Sequence, residues 1–195
     1  MSIQNTTENL HQNGIREILS GQRLIPVVTF NSVDEAIPTM EKLMAKGVNC
    51  IEITLRTSCA IDCMSALRSR YGKKILIGAG TVINNEQVNL MTEKQTDFLV
   101  SPGFSEKLLD SMQRSGIPYL PGVATPGEII SAIDKNCFTL KFFPANLFGG
   151  HAAIKTYSGI FPQVKFCPTG GISEENYNQF LQLPNVISVG GSWMV

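Results

Sequence analysis

Residues 74–101 read KILIGAGTVINNEQVNLMTEKQTDFLVS. The segment opens with a short apolar run, KILIGAG, and closes with another, DFLVS. Between them NNEQVNLMTEK is an amphipathic stretch of helical length. A strand, a helix and a second strand in that order need a crossover connection, which makes the two strands parallel neighbours. The glycines of GAGT stand where the strand gives way to its loop.

The same unit recurs in both directions. Upstream, RLIPVVTF is followed by DEAIPTMEKLMAKG, a helix closed by Gly47, and CIEITL by a helix over about 58–70. Downstream, DFLVS leads to SEKLLDSMQRSG, PYLPGV to PGEIISAIDKN, and FTLKFF to a helix around 151–159. VKFCPTGG then leads to SEENYNQFLQL, and VISVGGS is the last strand candidate. One more helix, over about 6–20, precedes the first strand. Eight strand candidates, nearly all separated by helices, predict an α/β chain folded as a (β/α)8 TIM barrel rather than an open doubly wound sheet. No linker or low-complexity segment interrupts residues 1–195, so one domain is expected. The sequence stops at Val195, just after GGSWMV, so the final helix of the eighth unit is expected to be missing. The N-terminal segment or a neighbouring subunit is expected to cover the flank it leaves.

Composition narrows the function classes. Lys plus Arg and Asp plus Glu each number 16, so no basic field exists to hold nucleic acid or an anionic membrane. Only 16% of residues are charged, well under the roughly 25% usual for soluble domains. A neutral, charge-poor surface fits a small-molecule protein and permits self-association. No signal-peptide h-region opens the chain, and no apolar run approaches a membrane span. The five cysteines are odd in number and form no CxxC, which points to free thiols in a reducing cytoplasm. Cys59 and Cys63 stand four apart; two packing thiols on a helix is the preferred reading over a metal pair. His11 and His151 are far apart and lie in no ligand motif, so no metal site is expected.

Strand parity gathers the polar residues. Side chains alternate faces along a strand, so in CIEITLR the residues Ile51, Ile53 and Leu55 pack on helices while Glu52, Thr54 and Arg56 point inward. Glu52 is then either half of a structural ion pair with Arg56 or a working carboxylate. In TLKFFPAN, residues 139–146, the same rule turns Thr139, Lys141 and Phe143 inward. Lys141 is a snorkelling strand-end lysine or an amine whose proton is easily lost, because burial and a nearby Arg56 both disfavour the ammonium form. Such an amine is the prerequisite for a Schiff base. Thr81 and Thr169 follow the third and seventh strands, as hydroxyl donors at the barrel mouth or as helix caps. Gly170 and Gly171 follow strand seven, and Gly190, Gly191 and Ser192 follow strand eight. Loops there often cradle phosphate with backbone N–H groups; simple turn geometry is the alternative.

The segments IEITLRT, GAGTV, SPG, TLKFFPA, CPTGGIS and GGSW, in this order over about residues 20–195, resemble the class I 2-dehydro-3-deoxy-6-phosphogluconate (KDPG) and 4-hydroxy-2-oxoglutarate (KHG) aldolases. The resemblance implies a trimeric (β/α)8 barrel that needs no cofactor and no metal. It implies that Lys141 is the Schiff-base lysine and Glu52 the acid–base group. Arg56 and Thr81 would hold the pyruvate carboxylate end, with Pro102 beside the site and Thr169 also at the substrate. Gly170, Gly171, Gly190, Gly191 and Ser192 would bind phosphate, and Arg23, at the start of strand one, is a further phosphate candidate. The implied reaction cleaves KDPG to pyruvate and glyceraldehyde 3-phosphate. The alternatives are the same chemistry on 4-hydroxy-2-oxoglutarate, giving glyoxylate, a sugar-phosphate epimerase or isomerase, and a non-catalytic phosphate-ligand binder. The chain departs from the family's common KFFPAE at Asn146.

Overall fold

The computed structural model describes residues 10–195. Residues 6–9 of the expected first helix lie outside the described residues. The strands are β1 Leu24–Val28, β2 Cys50–Thr54, β3 Leu76–Gly80, β4 Phe98–Val100, β5 Tyr119–Leu120, β6 Gly122–Val123, β7 Thr139–Phe142, β8 Lys165–Pro168 and β9 Val189–Gly191. The helices are α1 Leu10–Gly21, α2 Ala36–Ala45, α3 Ala60–Tyr71, α4 Asn85–Glu93, α5 Glu106–Ser115, α6 Pro126–Asp134, α7 Gly150–Ile160 and α8 Tyr177–Leu181. Each expected strand and helix is found, in the expected order.

Hydrogen bonding differs from the unbroken eight-strand ladder expected. Every pair is parallel, but the strands form a six-stranded sheet, β5-β4-β3-β2-β1-β9, and a three-stranded one, β6-β7-β8. Pro121 divides the expected fifth strand, because it has no N–H to give a ladder. On either side of that break the partner changes: Ser101 donates to Leu120 O at 3.2 Å, and Lys141 donates to Pro121 O at 2.9 Å. At the other margin the β8 and β9 segments are joined by isolated parallel bridges, Phe166 with Val186 and Thr169 with Gly190. What the ladders establish is an α/β fold with a curled, all-parallel sheet.

Parity sorts the side chains into two layers. Ile51 and Ile53 of β2, Leu140 and Phe142 of β7 and Ile77 and Ala79 of β3 join the outer layer with helix residues such as Met40, Leu67 and Met91. Burying each such aliphatic side chain contributes about 1.5–3 kcal/mol. An inner cluster holds Ile25, Cys50, Phe98, Val100, Leu120 and Cys167, and Ile15 and Leu19 of α1 close it from below. Gln12 of α1 accepts from the Thr139 N–H at 2.9 Å, and the Arg16 Nε donates to Thr139 Oγ1 at 3.1 Å. α1 therefore seals the end of the sheet where the strands begin.

The loops that leave β3, β4 and β6 terminate in helix caps. Asn84 accepts from the Gln87 N–H at 2.9 Å, and Thr125 and Glu128 form a reciprocal capping box at α6. Substitution of such caps typically costs about 1 kcal/mol. They fix where these loops end, two of which carry Thr81 and Pro102.

Candidate active site

Glu52 and Lys141 meet inside the sheet. Lys141 Nζ lies 3.0 Å from Glu52 Oε1 and 3.4 Å from Oε2. The two residues are 5% and 3% exposed, so neither charge is solvated by bulk water. Lys141 Nζ also lies 5.3 Å from the centroid of the Phe143 ring. The charge that meets the lysine is thus Glu52's, where the sequence pointed to a crowding Arg56. Glu52 in turn pairs with Lys141 and not with Arg56. Breaking a buried pair of this kind by removing one partner is strongly destabilising, and an apolar pair of the same volume is often no less stable, so the pair is a candidate for chemistry.

Glycines make the room. Residues 76, 78 and 80 of β3 face inward, and two of them are Gly78 and Gly80. A Cβ on Gly80 would lie 2.7 Å from Glu52 Cγ and overlap its carboxylate, and one on Gly78 would overlap the Phe98 ring. The Glu52 side chain therefore crosses the face of β3. A Cβ on Gly122, the residue in register with Lys141, would overlap the backbone of Pro102. Ser101 Oγ ties that loop down, donating to Gly103 O at 2.9 Å and accepting from the Gly122 N–H at 3.2 Å. Pro102 thereby stands beside the lysine strand.

Arg56 is exposed, just past β2, and its Nε donates to Thr81 Oγ1 at 3.0 Å. Thr81 has φ 59°, a left-handed conformation unusual for a β-branched residue. Such backbone strain costs about 1–3 kcal/mol and gathers at ligand sites. On the opposite margin Thr169 is buried, bridges to Gly190, and its carbonyl accepts from the Ala145 N–H at 2.8 Å. Gly170 and Gly171 follow with φ 94° and 73°, left-handed conformations that suit glycine. Asn146, where the chain departs from KFFPAE, packs its side chain against Gly171, 2.9 Å from Nδ2 to the place a Cβ would take. Gly191 lies under the Trp193 ring, and Ser192 beyond it is exposed.

Arg23 does not join this group. It precedes Leu24, which pairs with Val189, and its Nη2 donates to Leu181 O at 3.1 Å. Val27 is level with Glu52, so Arg23 sits four residues lower on β1, roughly 13 Å toward the end that α1 closes. A strand's starting end cannot serve loops at its finishing end.

Cys167 pairs in register with Lys141, and burial pushes its thiol up to about 11, so it is an inert neighbour. Among the described residues no cluster of three His, Cys, Asp or Glu is spaced to hold a metal, and no helix is long and apolar enough to cross a membrane. The sequence reading gave no role to Gly80, Gly122 or Thr29. Register was the missing signal: Gly80 becomes informative only once Thr54 is known to pair with it, beside Glu52.

Comparison with known proteins gives a consistent result. A family model described as KDPG and KHG aldolase matches residues 15–195. The KHG/KDPG aldolase of Escherichia coli K12 is 41% identical over 91% of this chain and 83% of its own length. A solved KDPG aldolase from Legionella pneumophila, with pyruvate captured at low pH as a covalent carbinolamine intermediate, superposes with a TM-score of 0.89. It is 42% identical, over 92% of this chain and 87% of that one. The Zymomonas mobilis ZM4 enzyme, solved with 3-phosphoglycerate, gives 0.87 at 35% identity over 92% and 85% of the two chains. With a family match that spans nearly the whole sequence, the chain belongs to the KDPG and KHG aldolases.

Proposed function

We propose that this chain is a class I aldolase that cleaves KDPG reversibly to pyruvate and glyceraldehyde 3-phosphate. The observation that carries this reading is the buried amine of Lys141 with a carboxylate 3.0 Å away, in a chain of this family. Lys141 attacks the C2 ketone, Glu52 receives and returns the protons, and loss of water leaves an iminium. Glu52 then takes the C4 hydroxyl proton, the C3–C4 bond breaks, and its electrons pass into the iminium to give an enamine. Glyceraldehyde 3-phosphate leaves. Protonation at C3 and hydrolysis release pyruvate and the free amine. Arg56, held by Thr81, receives the substrate carboxylate in a planar, charge-assisted contact. Pro102 and Thr169 wall the pocket.

The left-handed turn at Gly170 and Gly171 favours a phosphorylated substrate, received there together with Gly190, Gly191 and Ser192. The same site accommodates 4-hydroxy-2-oxoglutarate as a second substrate, in line with the double name of the E. coli relative. We read the two sheets as arcs of one eight-stranded barrel in a single domain spanning 1–195, since among the described residues the seams between them are Pro121 and the bridges that join the β8 and β9 segments. A homotrimer working in the cytoplasm completes the proposal; family resemblance and a charge-poor composition support it.

The test is to incubate the protein with pyruvate, reduce with borohydride and map the product by mass spectrometry. A pyruvate-derived adduct on Lys141, lost in Lys141→Met, is the expected result. Aldol cleavage without any adduct at Lys141 would sink the Schiff-base route, and an adduct without cleavage would leave only a binder.

A further inference from the structure

Thr29 and Thr54 form a hydroxyl pair at the mouth of the site. Their Oγ1 atoms are 2.7 Å apart. Thr54 lies two residues beyond Glu52 on the same face of β2 and is 1% exposed, whereas Thr29, just past β1, is exposed. Val27 pairs with Glu52, and carrying that register forward sets Thr29 opposite Thr54. Ile25 of β1 is in the inner cluster while Val28 and Phe30 are in the outer layer, so Thr29 faces inward by parity.

The pair's two protons have different fates. A buried hydroxyl proton needs an acceptor, and among the described residues Thr54 has only Thr29. Either oxygen can be the donor in this bond; the arrangement in which Thr54 donates and Thr29 accepts is the one that satisfies the buried proton. The Thr29 proton is left over, at an exposed mouth, on an oxygen polarised by the bond it receives. β1 stands between β2, which carries Glu52 and Arg56, and β9, which carries Gly190 and Gly191. On the proposed function, the substrate's carboxylate lies at the β2–β3 side and its phosphate at the β8–β9 side. The carbon chain between C4 and the phosphate then passes in front of β1.

We infer that Thr29 is a specificity-determining residue, whose hydroxyl donates a hydrogen bond to the C5 oxygen of the phosphorylated substrate. This rests on the aldolase reading above and adds a contact to the aldehyde half. Thr54 is its positioning residue: buried and fixed, it decides which way the Thr29 proton points.

The test runs the reaction in the direction of synthesis, from pyruvate and one of two aldehydes. D-Glyceraldehyde 3-phosphate carries the hydroxyl that becomes O5, and 3-phosphooxypropanal lacks only that group. Thr29→Val, which keeps the side-chain shape, is expected to reduce the preference for glyceraldehyde 3-phosphate over the deoxy aldehyde, measured as the ratio of kcat/KM values, by about tenfold. Thr29→Ser, which keeps the hydroxyl, is expected to retain the preference. An unchanged ratio in Thr29→Val overturns the inference, and so does an equal loss on both aldehydes, the mark of a structural role. Borohydride trapping of pyruvate is run in parallel. A wild-type protein with no Lys141 adduct overturns the aldolase reading itself, whereas an adduct with an unchanged ratio overturns only the role of Thr29.

Discussion

Gly80 has no side chain at the point where the carboxylate of Glu52 crosses β3, and a Cβ there would lie 2.7 Å from Glu52 Cγ. Gly80→Ala must push that side chain aside. Overpacking of this type costs about 1–3 kcal/mol, and the displaced carboxylate no longer meets the Lys141 amine at 3.0 Å. The expected outcome is a lower thermal midpoint and a cleavage rate reduced at least about tenfold, because misplaced catalytic groups cost about that or more. Thermal denaturation and a steady-state assay for pyruvate read the two effects separately.

Glu52→Gln keeps the volume and removes the base. The Lys141 adduct with pyruvate is expected to form still, though more slowly. Turnover should fall by about 10²–10⁴-fold, the usual worth of positioned acid–base help. Borohydride trapping and cleavage assays on the same preparation check both, and full turnover in this variant would remove Glu52 from its role.

Arg56→Lys retains charge and loses the fork. The Nε that holds Thr81 Oγ1 at 3.0 Å has no counterpart in lysine. A hydrogen bond to a charged group is worth about 1.5–3 kcal/mol, so kcat/KM for the 2-oxo acid should fall roughly 10- to 100-fold, chiefly through KM. Initial-rate kinetics over a range of KDPG concentrations tests this.

Asp97 lies away from the site and bears on stability. Burial alone would raise its pKa, but the Ile77 N–H at 2.8 Å, Lys73 at 2.9 Å and Arg68 together outweigh that and hold the carboxyl below its ordinary value. A depressed folded-state pKa means stability that is present above the ordinary aspartate range and is lost as pH falls through the folded value. Asp97→Asn is therefore expected to lower the urea midpoint at pH 7 and to shrink the loss that the wild type shows between pH 5 and pH 3, two units spanning the ordinary carboxylate range. Equal midpoint changes for both proteins across that interval would count against the carboxylate.

The thiols offer a further check, on packing. Burial pushes Cys63 up to about 12, with the Cys59 thiol beside it adding to the shift, and pushes Cys137 and Cys167 up to about 11. Burial raises Cys50 as well. At pH 8 their thiolate fractions are negligible. Of the five cysteines, only half-buried Cys59 is expected to react promptly with a disulfide reagent in the native protein, and all five in denaturant.

The order of strands and helices was legible because each strand is a short apolar run and the loops before α4, α5 and α6 end in side-chain caps. Parity alone was enough to turn Glu52 and Lys141 inward, since the alternation of β2 and β7 is unbroken. What parity cannot give is register. The pairing of Glu52 with Lys141 rather than Arg56 depends on how strands far apart in sequence face each other across the interior. Arg23 misled for a related reason: a charge at the start of a strand looks close to the glycine loops in sequence pattern, yet a whole strand length separates the two ends. Pro121 carried a signal of its own, a missing donor in the middle of an expected strand, that marks where the ladder changes sheets.

The plug formed by α1 has a consequence for traffic through the enzyme. With Ile15 and Leu19 filling one end and Gln12 and Arg16 bonded to Thr139, the described residues leave the opposite end as the way in and out for substrate and products. A molecule anchored on Lys141 sits at the blind end of that passage. On the proposed chemistry the aldehyde must depart first and pyruvate second, and in synthesis pyruvate must arrive before its partner. A dead end, supplied by a helix with no part in the reaction, agrees with the order that the covalent bond to Lys141 sets.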